Sequence, residues 1–330
     1  WQLKKNELLR MTIKTFLFLK NGIGGVMHSQ QKENWLKERK TYIGGSNVAA
    51  VMRLNSYCTA VGIYLEKISP EIDCTMSEAA KWGILLENTI AKAYEEKTGF
   101  NVEIEPNVIY HKEHKFLAAN IDRWANGKKH ILECKTAGFM MAKEWGEEYT
   151  DQIPESYLCQ VAYYAAICDV DRVDIAVLIG GQDFRIYTYN RNREFEEKII
   201  KIAQNFWTKN ILQKVPPKCI NLTDTADLWP KSNGREILAD DHIIKEIQEL
   251  KIMQSEVKQL EEAIILKKVD IQEFMQDYDV LSDSNGRIIA TWKNSSPRVA
   301  LDIKRLQEEH KDIYQQYAKE KEGSRMFLIK

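Results

Sequence analysis

The chain has 330 residues, 44% of them apolar and 10% aromatic, which is ample for a buried core and excludes disorder for most of its length. Lys and Arg total 47 against 48 acids, a formal net charge of −1, so any nucleic-acid surface must be local rather than global. Six scattered cysteines (Cys58, Cys74, Cys134, Cys159, Cys168 and Cys219) form no C-x-x-C pair, which argues against zinc-ribbon or iron–sulphur ligation and suits a reducing, cytoplasmic setting.

Residues 1–27 read as an N-terminal extension. Their apolar run, Thr15-Phe16-Leu17-Phe18-Leu19, is too short and too lysine-flanked to span a membrane. The main domain is expected over 28–215. It opens with a short helix (Gln31 to Lys40), the turn Ile43-Gly44-Gly45-Ser46 and a helix from Asn47. A helix over Ala60–Ile68 and a long one from Ser77 to Thr98 follow, the latter stopped by Gly99. Strands are expected at about 102–111, 115–121, 130–136, 173–180 and 183–190, with a helix at 154–169 among them. A helix from Arg193 to Gln213 closes the unit before Pro216-Pro217. Helices in front, a mixed sheet and a crossover helix make an α/β domain.

A linker is expected over 216–236 and a different module over 237–330. The module begins with a charged helix from about Ile237 to Gln276. Leu250, Val257, Ile264 and Ile271 recur there at seven-residue spacing, with Met253, Leu260 and Phe274 as the partner row, a seam for a coiled-coil partner or for packing on the main domain. Asp283-Ser284-Asn285-Gly286 marks a hairpin turn; a helix over Asp302–Lys319 and a strand over Ser324–Ile329 complete the module.

Chemistry concentrates in three phrases of the main domain. Asp122 ends an apolar strand, the turn Asn126-Gly127-Lys128-Lys129 follows, and Glu133-Cys134-Lys135 lies in the next strand. Side chains alternate along a strand, so Glu133 and Lys135 share a face and Cys134 points away. An acid, a gap of this size and then Glu-x-Lys is the pattern of a hairpin nuclease. Its carboxylates suit a hard divalent cation such as Mg²⁺, and its lysine suits an attacking water or charge building on a phosphate. The plainer alternative is a surface salt bridge between Asp122 and Lys135.

Glu87 shares a helical row with Ala80, Gly83, Ala91 and Tyr94, so it faces inward and needs a metal or a cationic partner; an ordinary salt bridge to Lys92 or Lys97 is the other reading. Ser46 follows two glycines at a helix start and Arg39 precedes it by seven residues, a combination suited to a phosphate, unless Ser46 merely caps the helix. Tyr157 and Gln160 lie one turn apart on an otherwise apolar helix. Gln160 there faces either the Glu133 strand, a metal-bound water or a purely structural partner.

Taken in order, Trp35, Arg39, Ile43-Gly44-Gly45-Ser46, Trp82-Gly83, Glu87-Asn88, Asp122, Glu133-Cys134-Lys135, Tyr157 and Gln160 resemble the lambda-exonuclease / YqaJ-like viral recombinase family of the PD-(D/E)XK nucleases. The resemblance spans about residues 30–210. It implies a restriction-endonuclease-like core with a mixed sheet flanked by helices, plus the C-terminal helical and β module. It implies a 5′-to-3′ exonuclease on double-stranded DNA ends that leaves 3′ overhangs for recombination by strand annealing. Two Mg²⁺ ions (Mn²⁺ substituting), a ring-shaped homotrimer, a single-strand annealing partner and a bacterial or phage-infected cytoplasm go with it.

By the same resemblance Glu87, Asp122, Glu133 and the Cys134 carbonyl bind metal. Lys135 and Gln160 position the attacking water, with Tyr157 in support, and Arg39 and Ser46 hold the 5′-phosphate. Two positions depart from the pattern: Gly44 stands where the phage enzyme has a hydroxyl residue, and Asn120-Ile121 where Ser-Pro is more usual. The alternatives are a PD-(D/E)XK endonuclease, a CRISPR-associated nuclease (whose clustered cysteines are missing here) and a DNA-end-binding assembly protein without turnover.

Overall fold

A computed structural model describes residues 29–72, 75–321 and 323–330; the expected N-terminal extension lies outside these. The chain divides into two compact units, the first ending at Leu228 and the second running from Trp229 to Lys330. Among the described residues no helix is long and apolar enough to cross a membrane.

The first unit starts with α1 (Ser29–Arg39), α2 (Gly45–Val51), α3 (Ala60–Ile68) and α4 (Glu78–Thr98). Ser77 caps α4 by accepting from the Ala80 amide, and Gly99 ends it at φ +74°, a left-handed conformation that costs glycine little. Strands β1 (Val102–Ile104), β4 (Arg123–Ala125), β5 (His130–Ala137), β6 (Arg172–Ile179) and β7 (Asp183–Asn190) form one sheet in the order β1-β4-β5-β6-β7. Only β5 and β6 pair in parallel, so a crossover is needed between them, and α5 (Glu155–Cys168) provides it. The expected α/β architecture, a mixed sheet flanked by helices, is what the chain forms.

The sheet buries both faces. On one side α2, α5 and α6 (Arg193–Asn205) cover Ile131, Val173, Ile175, Val177, Tyr187 and Tyr189. On the other, Ile90, Ala91 and Tyr94 of α4 pack on Ala125, Leu132, Cys134, Ala176 and Ile186. Alternation along β5 therefore sends Ile131 toward α5 and Leu132 toward α4. Helix α6 continues through a π-helical stretch (Phe206–Leu212), and Trp207 there stacks on Phe116. The unit runs past the prolines: in α7 (Leu222–Leu228) Asp224 accepts a 2.6 Å hydrogen bond from Thr59, the residue that caps α3.

Two expected strands are cut up. The 102–111 and 115–121 segments yield β1, β2 (Ile109–Tyr110) and β3 (Ala118–Ala119), and β2–β3 make a separate two-stranded sheet. Leu117 is drawn instead to Ile43 through an isolated bridge, which ties this stretch to the turn before α2. Asp122 thus precedes β4 rather than ending a long strand.

The second unit holds α8 (Asp241–Met275), capped by Asp240, and a hairpin of β8 (Val280–Ser282) and β9 (Ile288–Thr291) turning at Gly286. Leu250, Val257, Ile264 and Ile271 are exposed along α8. The last helix is broken at His310 into α9 (Ile303–Glu309) and α10 (Lys311–Tyr317), and residues 324–329 form no strand. The Arg325 guanidinium instead donates to the Trp229 carbonyl at 2.9 Å.

A buried polar network pins α4 to the sheet. The Tyr94 hydroxyl donates to Asp174 at 2.5 Å and lies 3.0 Å from His130 Nε2; Arg172 (2.7 and 2.8 Å) and Thr188 (2.8 Å) complete the Asp174 shell. Burial lowers the His130 pKa against the opposing pull of the Asp174 charge, which favours the neutral ring. Tyr94→Phe removes one donor from a fully buried carboxylate and should cost about 1–3 kcal/mol in urea denaturation; an unchanged midpoint would show that Arg172 and Thr188 suffice.

Candidate active site

Strand β5 delivers the site. Glu133 and Lys135 project to the α5 side and Cys134 to the α4 side, as alternation demands. The Glu133 Oε1 atom accepts from Lys135 Nζ at 2.6 Å and from Gln160 Nε2 at 2.7 Å. Its other oxygen, Oε2, is buried and has no hydrogen-bond partner. Lys135 Nζ also lies 5.1 Å from the centre of the Tyr157 ring, so Tyr157 and Gln160 both face the Glu133 strand.

Asp122, just before β4, reaches the same place: its Oδ2 accepts from the Cys134 amide at 2.8 Å. Burial above all, then the Asp122 charge, raises the Glu133 carboxyl pKa against the pull of Lys135; Glu87 adds to the rise. For Lys135, burial acts to lower the pKa, but the Glu133 and Asp122 charges prevail and hold it above the usual lysine range. Lys135 is therefore a cation, suited to donating and to offsetting charge rather than to taking a proton.

Glu87 pairs with neither Lys92 nor Lys97. Its Oε1 accepts from Arg123 Nη1, whose guanidinium also donates to the Asp122 carbonyl at 2.7 Å. Arg123 is 1% exposed, the largest fully buried side chain described. The sequence marks it only as a charged residue directly after Asp122, between two apolar strands.

The expected phosphate corner also assembles. Arg39 Nη2 donates to Ser46 Oγ at 3.1 Å and stacks 4.7 Å from the Trp35 ring centre. Ser46 is not the cap of α2; the Asn47 side chain accepts from the Gly44 amide at 3.2 Å and leaves the Ser46 hydroxyl to Arg39. Buried Lys67 holds this corner from below, donating to the Arg39 carbonyl at 2.7 Å.

Tyr164, another residue not singled out from sequence, joins the two halves. Its hydroxyl donates to the Asn120 carbonyl (3.0 Å) and accepts from Gln160 (3.0 Å), while Asn120 donates to Tyr42 (2.9 Å).

The donor set fits a hard divalent cation. Asp122, Glu133, Glu87 and the Cys134 carbonyl offer only oxygen, and the orphaned Glu133 Oε2 is a lone pair that such an ion would take up. Among the described residues no three acidic, His or Cys side chains already close into a ligand cage.

Comparison with known proteins places these residues within one segment. Residues 34–171 match the family model of the YqaJ-like viral recombinase domain. The uncharacterized protein YqaJ of Bacillus subtilis (strain 168) is 31% identical over 309 residues, covering 88% of this chain and 91% of its own length. Remoter likeness exists to the crystal structure of an alkaline exonuclease, LHK-Exo, from Laribacter hongkongensis. It has 15% identity and a TM-score of 0.45, over 55% of this chain and 93% of that one. A phage-related exonuclease from Haemophilus somnus 129PT gives 15% identity and a TM-score of 0.40, over 53% and 96%.

The Tyr164 ring lies so close to Gly45 that an added Cβ would overlap it. Tyr164 is buried and hydrogen-bonded at its tip, so the ring has no cheap way to move. Gly45→Ala should therefore destabilise the fold by about 1–3 kcal/mol by overpacking. Thermal denaturation checks this, and a neutral result would show that α2 can slide away from α5.

Proposed function

The chain belongs to the YqaJ-like viral recombinase domain family, and on that premise we propose a Mg²⁺-dependent exonuclease that digests one strand of double-stranded DNA from its 5′ end. The observation that carries this reading is Glu133: a buried carboxylate with one unsatisfied oxygen, fixed beside Asp122 and under a charged lysine. Asp122, Glu133, Glu87 and the Cys134 carbonyl would hold the cation. Once bound, it would polarise the scissile phosphate and lower the pKa of an attacking water.

The chain's own residues do the rest. Gln160 fixes the Glu133 carboxylate, and Tyr164 fixes Gln160. Lys135, held as a cation, offsets charge that builds on the phosphate in the transition state, an interaction that raises turnover more than binding. Tyr157 limits where the Lys135 head can go by presenting its ring to it. Arg39 and Ser46 take the 5′-phosphate, which sets the direction of digestion; the guanidinium is already aimed at the hydroxyl before any ligand arrives. The absence of a hydroxyl at Gly44 leaves this corner with one donor fewer than the family pattern. A ring-shaped trimer and a single-strand annealing partner belong to the same proposal, and the exposed apolar row of α8 offers them a surface.

Linear duplexes bearing 5′-phosphate, 5′-hydroxyl or covalently closed ends, incubated with Mg²⁺ or EDTA and followed strand by strand, test the reading. Loss of the 5′-phosphorylated strand only with Mg²⁺ is expected, while cutting of closed ends would point to an endonuclease. Asp122→Asn and Glu133→Gln should fold normally and lower the rate by at least about a hundredfold; normal digestion by either variant would sink the assignment. Arg39→Ala and Ser46→Ala should reduce the preference for 5′-phosphate by about tenfold each while leaving Mn²⁺ binding intact, and a wild-type protein indifferent to the 5′ group would remove the pocket.

A further inference from the structure

Two further carboxylates, Asp122 and Glu87, share the electrostatic neighbourhood of Glu133, and the three do not come from one side of the sheet. Register places Arg123 opposite Leu132, so its side chain projects with Leu132 toward α4, the helix that carries Glu87. Glu133, Lys135 and Gln160 lie on the α5 side. Asp122 stands between the two groups, its carboxylate on the Cys134 amide and its carbonyl on Arg123. A single buried guanidinium therefore grips the side chain of one acid and the backbone of the next. Its planar fork can serve both acceptors at fixed angles, which an ammonium cannot.

We propose that Arg123 is a positioning residue for the cation site: it orients the Glu87 carboxylate and the Asp122 peptide so that both acids face the ion. The assignment rests on the metal-dependent reading above. Two features distinguish it from a plain structural ion pair. The Arg123 side chain is 2% exposed and that of Glu87 17%, so the carboxylate is pinned on its guanidinium side while still meeting solvent. The second Arg123 bond goes to the residue whose carboxylate sits on β5 beside Glu133, so a change at Arg123 is transmitted directly to the site. Outer-shell groups that orient ligating carboxylates in this way set metal affinity without touching the ion.

Titration calorimetry of Mn²⁺ into the full chain, with melting temperatures in EDTA, tests the proposal without any nuclease assay. Arg123→Lys keeps the charge but not the fork, and should bind Mn²⁺ about ten- to a hundredfold more weakly than wild type. The double variant Glu87→Gln/Arg123→Met should bind Mn²⁺ more weakly than Glu87→Gln, but by less than Arg123→Lys loses in the wild-type background, because Arg123 then has only the Asp122 peptide left to orient. The double variant also avoids leaving a buried charge unpaired, so it folds even where Arg123→Met alone does not. Arg123→Lys with wild-type Mn²⁺ affinity and only a lower melting temperature would overturn the assignment and leave Arg123 a structural counter-ion. Additive losses in the double variant would overturn it too. Wild-type protein that binds no Mn²⁺ would overturn the metal-dependent reading itself, and the positioning role with it.

Discussion

Moving a carboxylate from water into a protein interior costs several kcal/mol unless charge and hydrogen bonds replace the water. Glu133 is 3% exposed, and what surrounds it follows from that constraint. Lys135 can neutralise it because strand alternation returns the chain to the same face two residues later. Gln160 can reach it because β5 and β6 run parallel, and a parallel pair needs a crossover that comes back over the face where Glu133 points. One oxygen is thereby satisfied and the other is left over. In the proposed reading, that leftover oxygen is where the cation binds.

The same logic operates on the far side of the sheet, where it is fully satisfied. Asp174 is wholly buried, yet Tyr94, Arg172 and Thr188 saturate it. That closed network fixes the C-terminal half of α4, where Ile90, Ala91 and Tyr94 are buried, while residues 78–82 stand exposed. Glu87 lies where the helix passes from one regime to the other. It is close enough to the core to be held by Arg123 and far enough out to meet solvent.

Much of this was legible from local rules. The facing of Glu133 and Lys135 needs only the two-residue period of a strand, and the limits of α4 need only Ser77 and Gly99. The inward aspect of Glu87 followed from small and apolar row-mates. What escaped was set by contacts distant in sequence. The segment 102–121 has strand composition throughout, but Ile43 claims Leu117 and breaks it into short pieces. Arg123 carries no mark in its own stretch of sequence, because burial of its guanidinium depends on Glu87, thirty-six residues away. Tyr164 sits on an apolar helix, and only the fold places its hydroxyl between Asn120 and Gln160. Conversely, residues 324–329 have the composition of a strand but lack a neighbour to pair with, and composition alone cannot supply one.

Counting formal charges shows why the two cations lie where they do. Glu87, Asp122 and Glu133 bring three negative charges; Arg123 and Lys135, on opposite faces of the sheet, return two. With neither cation, three acids in a low-dielectric site would repel each other by several kcal/mol per pair. Splitting them across the sheet ties Glu87 and Glu133 to cations on opposite faces, with Asp122 between them. In the proposed reading the three acids attract a divalent cation, and the ion's surplus positive charge is then met by the phosphate of the substrate. Cation and DNA would each make the other easier to bind, a coupling that is reciprocal by thermodynamic necessity.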